Sequence, residues 1–262
     1  MSITTPRYYV NAQTQTTPIN IVTGTDALTG GTISRVDRGS GVMVFRCSGA
    51  DSTAAYTALT TDSNGVWEPP DLPIVFAVRA VVQAVPSGAF QRFISFCVAN
   101  DGDNGFALTK NNADNAQRLR NYLSGDVVAI GNPWGGGVLT TVVVRLVPAA
   151  GADHADVWIE TVGRSGSAPN YTTPGLVYTE YRMLLDSCVV SPGTGTFDIA
   201  RLALYAPEAL SDADCAALAD DFDGTISPSG IGNATSINGI SAALISAING
   251  IAKASIASRN GV

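Results

Sequence analysis

The chain reads as an all-β protein, an antiparallel β-sandwich with one short helix near residues 211–223 and extended arms at both ends. Three observations predict this. β-branched and aromatic residues are dense in short runs, Gly, Asn, Asp and Pro clusters separate those runs, and helical periodicity is almost absent before residue 211. A length of 262 residues suits one large sandwich. The expected division is an arm over 1–25, a sandwich over 26–224, and a linker with a repetitive tail over 225–262.

The runs come in order. "PIVFAVRAVVQAV" (73–85) is rich in β-branched residues and flanked by prolines, which favours a strand over a helix, and it places Ala77, Arg79, Val81 and Gln83 on one face. "FQRFISFCVAN" (90–100) and "GFALTK" (105–110) follow. Between them "ANDGDNGF" clusters carboxylates and amides but lacks the spacing of a calcium loop, because Gly105 takes a ligand position; a hairpin turn is the expected role. "LTTVVVRLV" (139–147), "ADVWIETV" (155–162) and "RMLLDSCVV" (182–190) complete the expected strands.

One helix is well signalled in "ALSDADCAALADDFDG" (209–224). Ser211 is placed to cap it, Asp212 and Asp214 sit near its positive end, and Leu210 is placed to staple against Cys215. Cys215, Leu218 and Phe222 form a stripe that packs on the sandwich, and Gly224 is the expected stop. Asp220, Asp221 and Asp223 crowd the negative end without a local reason.

Composition narrows function. Only 14% of residues are charged, against roughly 25% in ordinary soluble domains, which suits either a surface that is partly buried against partners or a monomer covered by Thr and Ser. A net charge of −7 with no basic stripe argues against nucleic acid as a partner. No apolar run is long enough for a secretory signal or a membrane span, which predicts a chain made in a cytosol, with no membrane partner. Cys47, Cys97, Cys188 and Cys215 lie far apart in apolar settings, so buried reduced thiols are expected and no metal or other cofactor is called for. The single histidine, His154, is expected in a turn, where it offers little to zinc or to nucleophilic chemistry.

The segments "LTTVVVRLV", "ADVWIETVG" and "GTFDIARLALYAPEALSDADCAALADDF" together resemble the closing half of the concanavalin A-like jelly roll of laminin G-type and pentraxin-like domains. Ile199, Arg201, Leu202, Leu204, Tyr205, Ala209, Leu210 and Ser211 fall on that family's closing motif, with Asp214 where its acid stands. The resemblance implies a jelly roll. It departs in the middle, where "IETVGR" replaces the family's Asp-Gly turn.

Three function classes follow. A hydrolase of this fold would present two carboxylates about 5 Å apart; Asp156 and Glu160 lie four residues apart, roughly 13 Å along a strand at ~3.3 Å per residue, so enzyme is the weakest class. A carbohydrate-binding adhesin or lectin would expose aromatics. Trp134 in "IGNPWGGGV" and Trp67 in "SNGVWEPP" are the candidates for contact with a glycan or a partner, whereas Trp158 is expected in the core.

The third class is a structural subunit, and the last residues carry it. In "SINGISAALISAINGIAKASIASRNGV" the Asn-Gly pair returns every eleven residues, as Asn238-Gly239, Asn249-Gly250 and Asn260-Gly261. Ile237, Ile240 and Ile251 flank the first two pairs, Val262 ends the chain, and Ile240, Leu244 and Ile248 repeat every four residues. Short helices and short β segments joined by turns both fit, with turns the preferred reading. So short an apolar unit needs a neighbour's surface. The tail resembles the "I-N-G-V-A" repeats that close virion proteins of tailed bacteriophages. That resemblance implies a capsid decoration or tail-associated subunit, homo-oligomeric and bound to other virion proteins. It also implies synthesis in the host bacterial cytoplasm and leaves room for a surface glycan as a second partner.

Overall fold

The computed structural model describes residues 6, 8–19, 21, 32–49, 74–84, 91–97, 105–110, 117–121, 125–147, 154–169, 195–205, 210–222, 236–237 and 240–241. Among these residues there are fourteen strands and one helix. The strands are β1 (Tyr8–Asn11), β2 (Thr32–Asp37), β3 (Met43–Gly49), β4 (Ile74–Ala84), β5 (Gln91–Cys97), β6 (Gly105–Lys110) and β7 (Gln117–Asn121). They continue with β8 (Gly125–Gly131), β9 (Thr140–Val147), β10 (His154–Ile159), β11 (Gly163–Pro169), β12 (Gly195–Tyr205), β13 (Ser236–Ile237) and β14 (Ile240–Ser241). The helix, α1, spans Asp212–Asp221.

Eight strands form one antiparallel sheet in the order β11-β10-β9-β4-β12-β3-β2, with β1 also paired to β12; β5-β6-β7-β8 form a second. The expected antiparallel jelly-roll sandwich is therefore the fold. Its core lies between the sheets. Phe76, Val78, Ala80 and Val82 of β4 and Phe197, Ile199, Leu202 and Leu204 of β12 meet Leu108, Leu119, Val128 and Ile130 of the smaller sheet. Each such buried Val, Leu, Ile or Phe side chain stabilises the fold by about 1.5–3 kcal/mol.

Strand β12 keeps this alternation across an irregularity. Its register against β4 shifts between Ile199 and Arg201, so Ala200 is an extra residue, and the bulge returns Leu202 to the inner face after Ile199. The outer face then carries Asp198, Arg201, Ala203 and Tyr205.

Helix α1 covers one part of that outer face. Cys215, Leu218, Ala219 and Phe222 pack on Val75, Ala77, Val143, Trp158, Ala203 and Tyr205. The expected cap is present in full: the Asp214 amide donates to Ser211 Oγ at 3.2 Å, and the Ser211 amide donates to Asp214 Oδ2 at 3.2 Å. Arg201, reaching from the sheet, donates to the Phe222 carbonyl at 2.8 Å and sets positive charge at the end crowded by acids. The helix finishes with Phe222 as its C-cap, while Gly224 lies outside the described residues.

Two expectations need correction. Tyr8–Asn11, placed by the sequence in an arm, is a buried strand of the large sheet, with Tyr8 opposite Leu204 and Asn11 opposite Arg201. Apolar side chains on both of its faces drive this: Tyr8 and Val10 enter the inter-sheet core and Tyr9 the helix-side core. His154 opens β10, paired with Val147 and Pro169, instead of standing in a turn. The run 182–190 and residues 99–104 lie outside the described residues.

Cys47 and Cys215 are free and buried, as expected. Burial, with Asp198 near Cys47, pushes the Cys47 thiol up to about 12; burial does the same at Cys215, against the opposing field of Arg145. Both remain protonated. Strand β11 closes one side of the sandwich: a Cβ on Gly166 would fall far inside van der Waals contact with Val128 of β8, so a side chain is excluded there.

Candidate functional site

Trp134 is not on the surface. Its side chain is fully buried between the sheets, its indole N–H donates to the Thr140 carbonyl at 2.9 Å, and its ring meets Phe197 edge-on at 5.4 Å. The glycines beside it free the backbone rather than the ring: they let the loop turn Trp134 inward as an anchor. Its backbone carbonyl also accepts from the Val82 amide at 3.0 Å. The expectation of an accessible tryptophan is therefore overturned. A large apolar ring gains more from the core than from solvent, and its one polar atom is satisfied there.

With Trp134 as anchor, the loop between β8 and β9 presents its other residues. Gly135, Gly136 and Gly137 are exposed, and Val138 is 68% exposed. Arg38, in the turn between β2 and β3, donates to the Gly137 carbonyl at 3.1 Å and joins the two loops. That turn holds Gly39, Ser40 and Gly41 at φ of 108°, 56° and 78°, and it leaves Val42 40% exposed. On the other side, Thr141 of β9 donates its amide to Glu160 Oε2 at 2.8 Å, and the Glu160 amide donates to the Thr141 carbonyl at 3.0 Å. These bonds seat the turn between β10 and β11, where Thr161 has a φ of 64° and Val162 is 66% exposed.

The result is a belt of three turns at one end of the large sheet, where register aligns the start of β3, the start of β9 and the end of β10. Val42, Val138 and Val162 are the exposed large apolar residues among those described, and all three are on it. So are the two non-glycine residues with positive φ among those described, Ser40 and Thr161; such a backbone costs about 1–2 kcal/mol per residue and marks turns held by their surroundings.

Charges beneath the belt are paired. Asp198, fully buried, accepts from Arg46 Nε and Nη2 at 2.8 and 2.9 Å and lies 3.3 Å from Arg38 Nε. The bond to Asp198 raises the Arg46 pKa further. Register aligns Arg201, Arg79 and Thr141 across neighbouring strands, and Arg79 reaches Glu160 at 2.6 Å.

A second cluster pins the helix. Asp156 accepts from Arg145 at 2.6 Å and from Arg164, Arg145 also reaches Asp212 at 2.6 Å, and Arg145 donates to the Leu210 carbonyl at 2.8 Å. Burial would lower the Arg145 pKa, yet its bonds to Asp156 and Asp212 raise it on balance. The guanidinium of Arg145 lies 4.9 Å over the Trp158 ring, a core residue as expected. Asp156 and Glu160 are thus each held by arginine.

The remaining sequence candidates are dispersed. Ile237 and Ile240 pair with each other across β13 and β14. Trp67, Asn238, Gly239, Leu244, Ile248, Asn249, Gly250, Ile251, Asn260, Gly261 and Val262 lie outside the described residues. The belt valines were missed by sequence reasoning, though each adjoins a glycine (Gly41-Val42, Gly137-Val138, Val162-Gly163), a pattern of apolar residues on turns.

The fold defines the class, an antiparallel β-sandwich, and among the described residues its exposed large apolar side chains lie on turns. Solved structures are similar to this chain in fold. The binding domain of botulinum neurotoxin DC, in complex with rat synaptotagmin II, has a TM-score of 0.56 at 11% identity over 82% of this chain and 51% of its own. The receptor binding domain of botulinum neurotoxin type G has a TM-score of 0.52 at 11% identity, over 81% of this chain and 50% of its own. The Trypanosoma rangeli sialidase has a TM-score of 0.59 at 10% identity, over 82% of this chain and 32% of its own. The chain spans about half the length of the toxin domains and about a third of the sialidase; at these identities the likeness defines the fold. No protein-family model matches the sequence, and no curated protein matches it.

Proposed function

We propose that this chain is a recognition module that binds carbohydrate through the belt of turns, without turnover. The concentration of its exposed apolar residues and its positive-φ turns on one hydrogen-bonded belt carries this reading, because binding residues favour loops held on a rigid scaffold. The fold supports the recognition part of this reading: the two toxin domains similar in structure are a receptor-binding and a binding domain. Asp156 and Glu160, both engaged by arginine, make poor candidates for the acid and nucleophile of a hydrolase. A glycan array probed with the full chain tests the proposal. Hits are expected to fall at least tenfold in the double variant Val138→Asp/Val162→Asp with the unfolding midpoint unchanged; equal binding by wild type and variant would refute the assignment of the belt.

The tail favours a second, compatible reading, attachment to an assembly such as a phage particle. Ser236–Ile237 and Ile240–Ser241 pair with each other and, among the described residues, with no strand of the sandwich. Light scattering on the full chain and on one ending at Gly224 tests it. An oligomer that becomes a monomer on truncation is expected; an unchanged mass would remove the tail as a self-association device.

A further inference from the structure

We infer that the ligand of the belt is an uncharged glycan, not a sialylated or otherwise acidic one; this rests on the recognition reading above. A carboxylate or sulfate on a ligand needs a guanidinium or ammonium with donors to give. In the belt every described arginine is already engaged. Arg38 serves Asp198 and the Gly137 carbonyl, Arg46 grips Asp198 with two bonds, and Arg79 serves Glu160 and Thr141 Oγ1. Turning Arg38 toward a ligand would take a partner from a carboxylate with no solvent exposure and would release the loop that carries Val138. The net charge of −7 also disfavours the approach of an acidic glycan.

Asp37, at the start of the β2–β3 turn, is the exposed charge here: its carboxylate accepts from the Gly39 amide at 2.7 Å and would repel an acidic ligand, and the other exposed residues of the three turns are uncharged. Open space lies over the Cα atoms of Gly39, Gly41, Gly136 and Gly137, so a ligand can come close to backbone that no side chain shields. Sugar hydroxyls, which both donate and accept, suit such backbone groups, while the apolar C–H faces of a pyranose suit the three valines.

An array holding matched neutral, sialylated, sulfated and uronate-bearing glycans, probed with the full chain, decides the matter. The expected result is hits confined to neutral glycans, with an acidic cap on the same glycan lowering the signal at least tenfold. Calorimetry on the strongest hit should show an affinity that changes less than about twofold between 50 and 500 mM NaCl, as expected for binding without ion pairs. Hits confined to acidic glycans, weakened by salt, would overturn this inference and leave the recognition reading standing. An array without hits would overturn both.

Discussion

Replacing Trp134 with alanine should lower the free energy of unfolding by about 3–5 kcal/mol, the cost of emptying a fully buried aromatic site. The side chain has no solvent exposure, and its removal also deletes the edge-on contact with Phe197, itself worth about 0.5–1.5 kcal/mol. The Thr140 carbonyl would lose the indole N–H that it accepts at 2.9 Å. Trp134→Phe separates these contributions: it keeps most of the ring and loses the hydrogen bond, so about 1–2 kcal/mol is expected. Urea unfolding followed by circular dichroism measures both. A surface tryptophan stacked on sugar would behave otherwise, with the alanine variant within about 0.5 kcal/mol of wild type and only binding lost. That outcome would remove the anchoring role of Trp134 and restore it as a contact residue.

The misplacement of Trp134 shows where sequence reasoning stops. Glycines at 135–137 announce a loop, and a loop is normally a surface feature, but which way one side chain of it turns depends on Phe197 and Thr140, residues brought beside it by tertiary structure. The long apolar strands were legible because they bury both faces: "IVFAVRAVV" and "TTVVVRLV" fill the inter-sheet core on one side and lie under α1 on the other. The helix was legible through its cap, since Ser211 and Asp214 act within one turn of chain. Strands β7 and β11 were not. In "QRLRN" only Leu119 is apolar, and "GRSGSAP" has no large apolar residue, so both are strands by virtue of their neighbours, through pairing that local pattern does not encode. The belt escaped for the same reason: Arg38 and Gly137 meet across 99 residues of sequence.

Asp198→Asn is expected to destabilise the fold by about 2–4 kcal/mol, because removing one partner of a buried ion pair leaves the other charge uncompensated, at a cost of about 3–5 kcal/mol when both are enclosed. The lower range applies here since the Arg46 and Arg38 side chains keep 33% and 19% of their exposure and water can reach them. The carboxylate receives two guanidinium bonds from Arg46, and in the variant one of its oxygens becomes an amide that can only donate toward a donor. The loss should therefore come from stranded arginine rather than from a vanished attraction. The double variant Asp198→Asn/Arg46→Met separates the two, recovering more than half of the lost stability if the penalty is the unpaired charge. A single variant within 1 kcal/mol of wild type would show that the cluster contributes little. The same substitution also reaches the belt, since Arg38 holds Gly137 while it faces Asp198. Without that carboxylate Arg38 is no longer fixed, and glycan binding should weaken in Asp198→Asn at temperatures where the protein is still folded. Full binding by a folded Asp198→Asn variant would show instead that the loops hold their places without the buried acid.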